Sequence, residues 1–305
     1  MATKVNPVTG ALDYYEQALP SFRNKLINGN QIIDQRNSGS AGTAAANTVT
    51  YATDRWYIYS VGATCGYQRV SGPNTSDYAI QITPASSNTN SIVAQKIENI
   101  NCLDLSNKTV KITGKVFIDN SSGVTFNTNV YIASSANSSY GSLVSFSSTL
   151  TSGQYVDFSG TVALGANAIN GVEVDFSFLN AAGKTIKLTN LQLEEGTVAT
   201  PFEHRSHGLE KSLCQRYYEI GYFNAMGYAP GSSHQTGGTV NWNEKRSTPT
   251  CTWTTERAGG DNNLSNTAGG NVTQITNSSA LFTTQAGTSG NSYVLKSKWT
   301  IESEL

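Results

Sequence analysis

The side chains of this 305-residue chain best suited to chemistry are aromatic: 15 tyrosines and four tryptophans, set among many Asn, Ser, Thr and Gln residues. Flat aromatic faces stack on pyranose rings, and amides, carboxylates and arginine bond sugar hydroxyls, so this stock suits carbohydrate recognition on a β-sandwich. Alternation along "DRWYIYSV" (Asp54–Val61) sends Trp56 and Tyr57 to opposite faces. Trp56 is read as core, and Tyr57 and Tyr59 as outward candidates for a binding face. Tyr67, Tyr131, Tyr140 and Tyr155 are further candidates. Trp242 and Trp253 flank Lys245–Pro249, and Trp299 lies near the C-terminal end. For these three, core or intersubunit packing competes with ligand contact.

Hydrolysis of a glycan needs two carboxylates a few ångströms apart. Asp157, Glu173 and Asp175 fall on strands expected to be neighbours and could meet, although Glu173 and Asp175, two apart on one strand, equally describe a polar sheet exterior. No G-x-S-x-G, H-E-x-x-H or phosphate loop occurs. His204 and His207 read as capping or surface residues. No catalysis is expected. Cys65, Cys102, Cys214 and Cys251 are widely spaced with no C-x-x-C pair, which argues against zinc and for buried thiols, a Cys65–Cys102 disulfide being the alternative.

The elements that must position these residues are strands. Only 13 % of residues are charged, against ~25 % in ordinary soluble proteins, and the net charge of −1 argues against nucleic acid as a partner. No run approaches the ~20 apolar residues that span a bilayer, so no membrane insertion is expected, and the lack of a signal-like start predicts synthesis in the cytoplasm. Residues 1–23 form an arm with a possible short turn at Leu12–Leu19; Leu12, Tyr14, Tyr15 and Leu19 are its docking candidates. Residues 24–205 hold eight or nine strands with period-2 alternation, predicting an all-β, jelly-roll sandwich. Ile186 and Leu188 alternate on one phase and Leu191 and Leu193 on the other, so a β-bulge is expected near Thr189–Asn190. Pro201 ends the pairing, and Phe202 is expected to plug the sandwich end.

Residues 206–225 show Leu209, Leu213, Arg216 and Tyr217 at helical spacing, with Ser206 as N-cap. A stripe that short needs a partner, and the simplest is the same helix in another subunit. Leu209, Leu213 and Tyr217 are thus expected at a trimer joint. Residues 226–305 read as a smaller β-sandwich tip with a thin apolar supply, which again favours an oligomer.

The stretch "LQLEEGTVATPFEHRSHGLEKSLCQRYYE" resembles a junction shared by many bacteriophage tail-fibre and receptor-binding proteins, in which a carbohydrate-binding-module-like jelly roll is followed by a "CQRYY" helix. "NKLINGNQIIDQR" is similar to the first strand of that module, with Gln31 where Phe is common, and "TYATDRWYIY" to its next strand. "WNEKRSTPT" and "SKWTIESEL" resemble parts of a terminal tip domain. The resemblance spans residues 24–305. It implies a homotrimer in the virion tail, the arm bound to other tail proteins and the tip outward, attaching to host surface polysaccharide. A structural virion adaptor or decoration protein and a polysaccharide depolymerase are the alternatives. The loops Gly231–Thr236 and Gly259–Asn271 are where host contact is expected. Such modules often hold a structural calcium, for which Asp34, Glu194 and Glu195 could supply carboxylates.

Overall fold

The computed structural model describes residues 2–5, 12–15, 22–74, 78–230, 234–258, 271–285 and 290–305. Near the N-terminus β1 (Ala2–Val5) and β2 (Leu12–Tyr15) pair antiparallel, with Val5 opposite Leu12. Leu12, Tyr14 and Tyr15 therefore lie on a strand rather than a turn, and Leu19 is outside the described residues.

Twelve strands make the sandwich: β3 (Gly42–Ala44), β4 (Val49–Thr53), β5 (Trp56–Val61), β6 (Cys65–Ser71), β7 (Tyr78–Pro84), β8 (Asn90–Ile97), β9 (Thr109–Ile118), β10 (Thr125–Ser135), β11 (Ser138–Ser148), β12 (Gln154–Ala163), β13 (Val172–Leu179) and β14 (Ile186–Glu195). Sheet I has the order β11-β10-β13-β8-β5-β4 and sheet II the order β12-β9-β14-β7-β6-β3. The fold is an all-β sandwich of antiparallel strands.

Alternation explains the layering. In β9 every second residue, from Val110 through Ile112 and Val116 to Ile118, is buried between the sheets. Aromatics fill the centre: Phe126 stacks on Phe178 at 4.8 Å, Phe158 meets Phe176 edge-on at 5.4 Å, and Trp56 lies 6.1 Å from Phe176. Removing one such ring costs about 3–5 kcal/mol. The bulge in β14 falls where the phase change puts it. Asn190 and Leu191 stand opposite Gly114 alone, Asn190 adopts φ 53°, and Leu191 turns into the core. All four cysteines are free, and Cys65, Cys102 and Cys214 are buried.

The expected first strand at 24–36 does not form. Asn28 and Gln31 take positive φ, and the segment folds into a plug at the sandwich end. Leu26 is fully buried, the Trp56 indole donates to the Asn28 carbonyl at 2.9 Å, and the Asn28 amide bonds the carbonyls of Ile33 and Asp54. Gln31 is buried and accepts the Thr53 hydroxyl at 2.6 Å. Side-chain amides thus take over bonds that a strand ladder would have made.

The helix is shorter than its sequence pattern. α1 spans His207–Gln215, with Ser206 at the N-cap position although its side chain makes no capping bond. From Tyr218 the chain is extended as β15 (Tyr218–Ala229), because it pairs with a strand far away in sequence, β20 (Gly290–Glu302). Gly221 is needed there, since a Cβ would stand 2.2 Å from the Trp299 ring. The partner of α1 is its own sandwich. Cys214 and Tyr217 are buried with Ile27 and Ile33, Leu213 packs beside them, and the buried Glu210 carboxylate accepts the backbone N–H of Asn28. Tyr217 is therefore spent within the chain and does not face another subunit; Leu209 remains 36 % exposed.

The tip adds β16 (Gln235–Asn241), β17 (Thr250–Ala258), β18 (Asn271–Thr273) and β19 (Ser279–Gln285), in two three-stranded sheets ordered β15-β20-β17 and β16-β19-β18. Its core is small and rich in tryptophan: Trp242, Trp253 and Trp299 pack with Phe282, Val240 and Ile301. Tip and sandwich meet at a charged joint. Glu304 pairs with Arg36 (2.9 Å) and Arg55, whose guanidiniums lie 3.7 Å over Tyr218 and 3.6 Å over Tyr217. The two tyrosines after the helix thus hold two arginines. Among the described residues no helix is long and apolar enough to cross a membrane.

Candidate functional site

The outward face of sheet I gathers most of the sandwich candidates. Register places Tyr57, Ala94, Asp175 and Asn129 in one row across four strands. The row on one side runs Tyr59, Ile92, Ser177 and Asn127, and the row on the other Lys96, Glu173 and Tyr131. Because successive residues of a strand alternate faces, the burial of Trp56, Val93, Val174 and Val130 in the core turns all of these outward. Ala94, small and central, is fully buried, and the Tyr57 side chain reaches past its strand to Glu173.

The polar groups of this face hold one another. The Tyr57 hydroxyl donates to Glu173, the Asn129 amide donates to Asp175, and Tyr131 also bonds Asp175. Tyr51 meets Tyr57 edge-on at 5.7 Å and donates its hydroxyl to the Leu305 carbonyl at 2.9 Å, so the face runs into the joint with the tip. The Lys96 ammonium lies 5.0 Å from the Tyr140 ring and 6.0 Å from that of Tyr57. Tyr57 is only 5 % exposed, while Tyr59 and Tyr131 are half-buried.

Electrostatics follow from this crowding. Burial pushes the Asp175 carboxyl up to about 6, Glu173 adds to the rise, and Asn129 and Tyr131 oppose it. Burial and the Asp175 charge push the Tyr131 phenol up to about 12, and burial with Glu173 holds the Tyr57 phenol far above its ordinary value. What results is a rigid set of ring faces and hydrogen-bonding groups, which is what a sugar needs.

Other candidates lie elsewhere. Tyr155 sits on the outer face of sheet II, 5.4 Å from Phe117, its hydroxyl without a partner and its phenol pushed up by burial to about 12. Tyr67 turns toward the core side and covers Gly42, where a Cβ would stand 2.3 Å from the tyrosine ring. It is a packing residue, and the strand that carries it was not legible in the sequence. Trp242 and Trp253 are buried in the tip core and offer no face to a ligand. Asp157 does not meet Glu173 and Asp175. It lies on β12 in the other sheet, where it pairs with Lys115 at 2.6 Å.

The carboxylates proposed for calcium are each engaged separately. Asp34 accepts the backbone N–H groups of Asn37 and Gly39, Glu194 accepts the N–H and hydroxyl of Thr200 and pairs with Arg23 at 3.2 Å, and Glu195 pairs with Lys108. No group of three or more metal-ligating side chains forms among the described residues. Most of the loops at 231–236 and 259–271 lies outside the described residues.

No protein-family model matches the chain, and no curated protein does either. Solved structures with a partial likeness include the enzymatically active domain of tailspike protein 4 of bacteriophage CBA120. Its TM-score is 0.37 at 11 % identity, with 57 % of this chain covered but only 22 % of the tailspike chain. The CBM22-1 xylan-binding domain of Paenibacillus barcinonensis Xyn10C follows with a TM-score of 0.34 at 15 % identity, covering 51 % of this chain and 99 % of that one. TmCBM61, solved with beta-1,4-galactotriose, has a TM-score of 0.34 at 13 % identity over 57 % of this chain and 99 % of that one. Scores this low carry no argument about function, which rests on the chain's own residues.

Proposed function

We propose that the chain is a glycan-recognition protein that binds surface polysaccharide without cleaving it, through the outward tyrosine face of sheet I. The observation that carries the reading is the outward register of sheet I: the bonded pairs Tyr57–Glu173 and Asn129–Asp175 hold its centre, with the half-buried Tyr59 in the row on one side and the half-buried Tyr131 and Lys96 in the row on the other. Ring faces supply stacking, and the half-buried Glu173 carboxylate and Lys96 ammonium bond sugar hydroxyls. The phage tail-fibre assignment is supported by the ordered sequence resemblance alone. A homotrimer agrees with the apolar side chains left exposed beside α1, namely Phe22, Ile100, Leu103 and Leu209, and three weak sites on one assembly would gain avidity.

A depolymerase reading draws on one observation, the carboxyl of Asp175 near 6 two residues from Glu173. Both carboxylates are already bonded by Tyr57, Asn129 and Tyr131, which favours fixed hydrogen-bonding roles over proton transfer. Incubation with extracted bacterial surface polysaccharides tests both readings. Binding with unchanged chain length is expected; shortening that stops in Glu173→Gln would replace this reading with the enzymatic one. Sedimentation of the same sample is expected to show three chains per particle.

A further inference from the structure

Sheet II carries a groove that the tyrosine face does not involve. After the bulge, Gln192 and Glu194 point outward yet are almost fully buried, because the segment 199–204 crosses over them as a strap. Thr200 donates its N–H and hydroxyl to Glu194, the Glu203 N–H donates to Gln192 at 2.8 Å, and the Glu203 carboxylate accepts the N–H groups of Phe22 and Asn24. The strap is thereby fixed before any ligand arrives. Between it and the outward residues of β9 and β12 lies a groove of about 570 Å³, within the range of small-ligand sites, ~300–1,000 Å³.

Its lining has a definite chemistry. One wall is aromatic: the rings of Phe202 and His204 meet edge-on at 5.0 Å, and Phe202 is seated over Gly29, which has no room for a side chain. The floor offers the hydroxyls of Thr113 and Ser159 and the carboxamide of Asn190, placed there by the bulge. The two hydroxyls and the His204 ring nitrogens find no hydrogen-bond partner among the described residues. The only fixed charges, Lys115 and Asp157, pair with each other at 2.6 Å and cancel. A charged ligand gains little here, whereas a ring with an apolar face and several hydroxyls satisfies both the wall and the floor.

We infer that the strap groove is a second saccharide site, taking a short neutral sugar segment on the sheet opposite the tyrosine face. It stands on its own residues, so either site can fail alone. The test is a titration of the full chain with maltotetraose, cellotetraose, xylotetraose and β-1,4-galactotetraose, followed by NMR of the histidine rings. The chain has only three histidines, so the His204 signal is identified by its loss in His204→Gln. At least one sugar should move it, and should still do so in a Tyr59→Ala/Tyr131→Ala variant. Ser159→Trp, which fills the groove from an exposed position, should weaken that response at least tenfold. No shift of the His204 signal with any of the four sugars overturns the inference. So does a shift that survives Ser159→Trp unchanged, or one that vanishes with the tyrosine pair.

Discussion

On sheet I the outward side chains are tyrosines, carboxylates and amides that bond one another, and several are as buried as core residues. On sheet II they are chiefly lysines, hydroxyls and Asp157 at the surface, with the Phe117–Tyr155 ring pair among them and Gln192 and Glu194 buried under one fixed strap. Both sheets alternate equally well in sequence. What separates them is cross-strand pairing: Tyr57, Glu173 and Lys96, or Asp175, Asn129 and Tyr131, become partners only because β5, β8, β13 and β10 are neighbours. An organised polar surface of this kind is worth more, and costs more when broken, than the same groups scattered.

The largest effect should come at the edge where sheet I joins the tip. Glu304→Ala leaves the fully buried Arg55 guanidinium without its carboxylate partner, while Arg36 keeps Glu302 at 3.1 Å, and is expected to cost about 3–5 kcal/mol in chemical denaturation. On sheet II the exposed Lys115–Asp157 pair should cost no more than about 1 kcal/mol when either residue becomes Ala. Equal losses at the two places would remove the distinction between the faces.

Next comes pH. A carboxyl whose folded value sits near 6, above its unfolded value near 4, holds its proton more tightly when folded. Its contribution to stability is full below about pH 4 and is lost as pH rises through 6. The loss is on the order of 2 kcal/mol. Asp54 is shifted the same way by its burial, so the wild-type decline sums both groups. Asp175→Asn should keep an acceptor for Asn129 and flatten the Asp175 share of that decline, leaving the variant the more stable protein at pH 7. An unchanged pH profile would mean that Asp175 is solvated like an ordinary surface carboxylate.

The smallest effect sharpens the contrast between two tyrosines. Tyr57→Phe removes the donor to Glu173 and should cost about 1 kcal/mol. Tyr155→Phe, whose hydroxyl has no partner, should be neutral or slightly stabilising in the same melting experiment.

Much of this was legible in the sequence, for identifiable reasons. Alternation marked the buried strands, put Trp56 inward, and located the bulge at Asn190 from the phase change between Leu188 and Leu191. It failed where the signal was diluted. β11 is a serine-rich edge strand, and β6 is mostly polar, so Tyr67 had no strand to give it a direction. The helix was overextended because Leu213, Arg216 and Tyr217 keep helical spacing, while the strand that pulls Tyr218 into a sheet lies more than seventy residues on. Tyr59 could be placed outward from local pattern, whereas Tyr131 was a candidate with no face assigned to it. The burial of Tyr57 under Tyr51, the bonding of Asp175 to Asn129 and the loss of Trp242 and Trp253 to the tip core are tertiary facts with no local trace. The strap groove was likewise invisible, since it needs the bulge and Phe202 in one place.

The central claim, that the tyrosine face of sheet I is the glycan-binding surface, is tested most directly by polysaccharide affinity in three variants of the intact protein. Tyr59→Ala and Tyr131→Ala are each predicted to lose about 1–2 kcal/mol of binding, roughly five- to thirtyfold, while Tyr155→Ala binds like wild type. Binding that survives both sheet I substitutions and falls with Tyr155→Ala would contradict it.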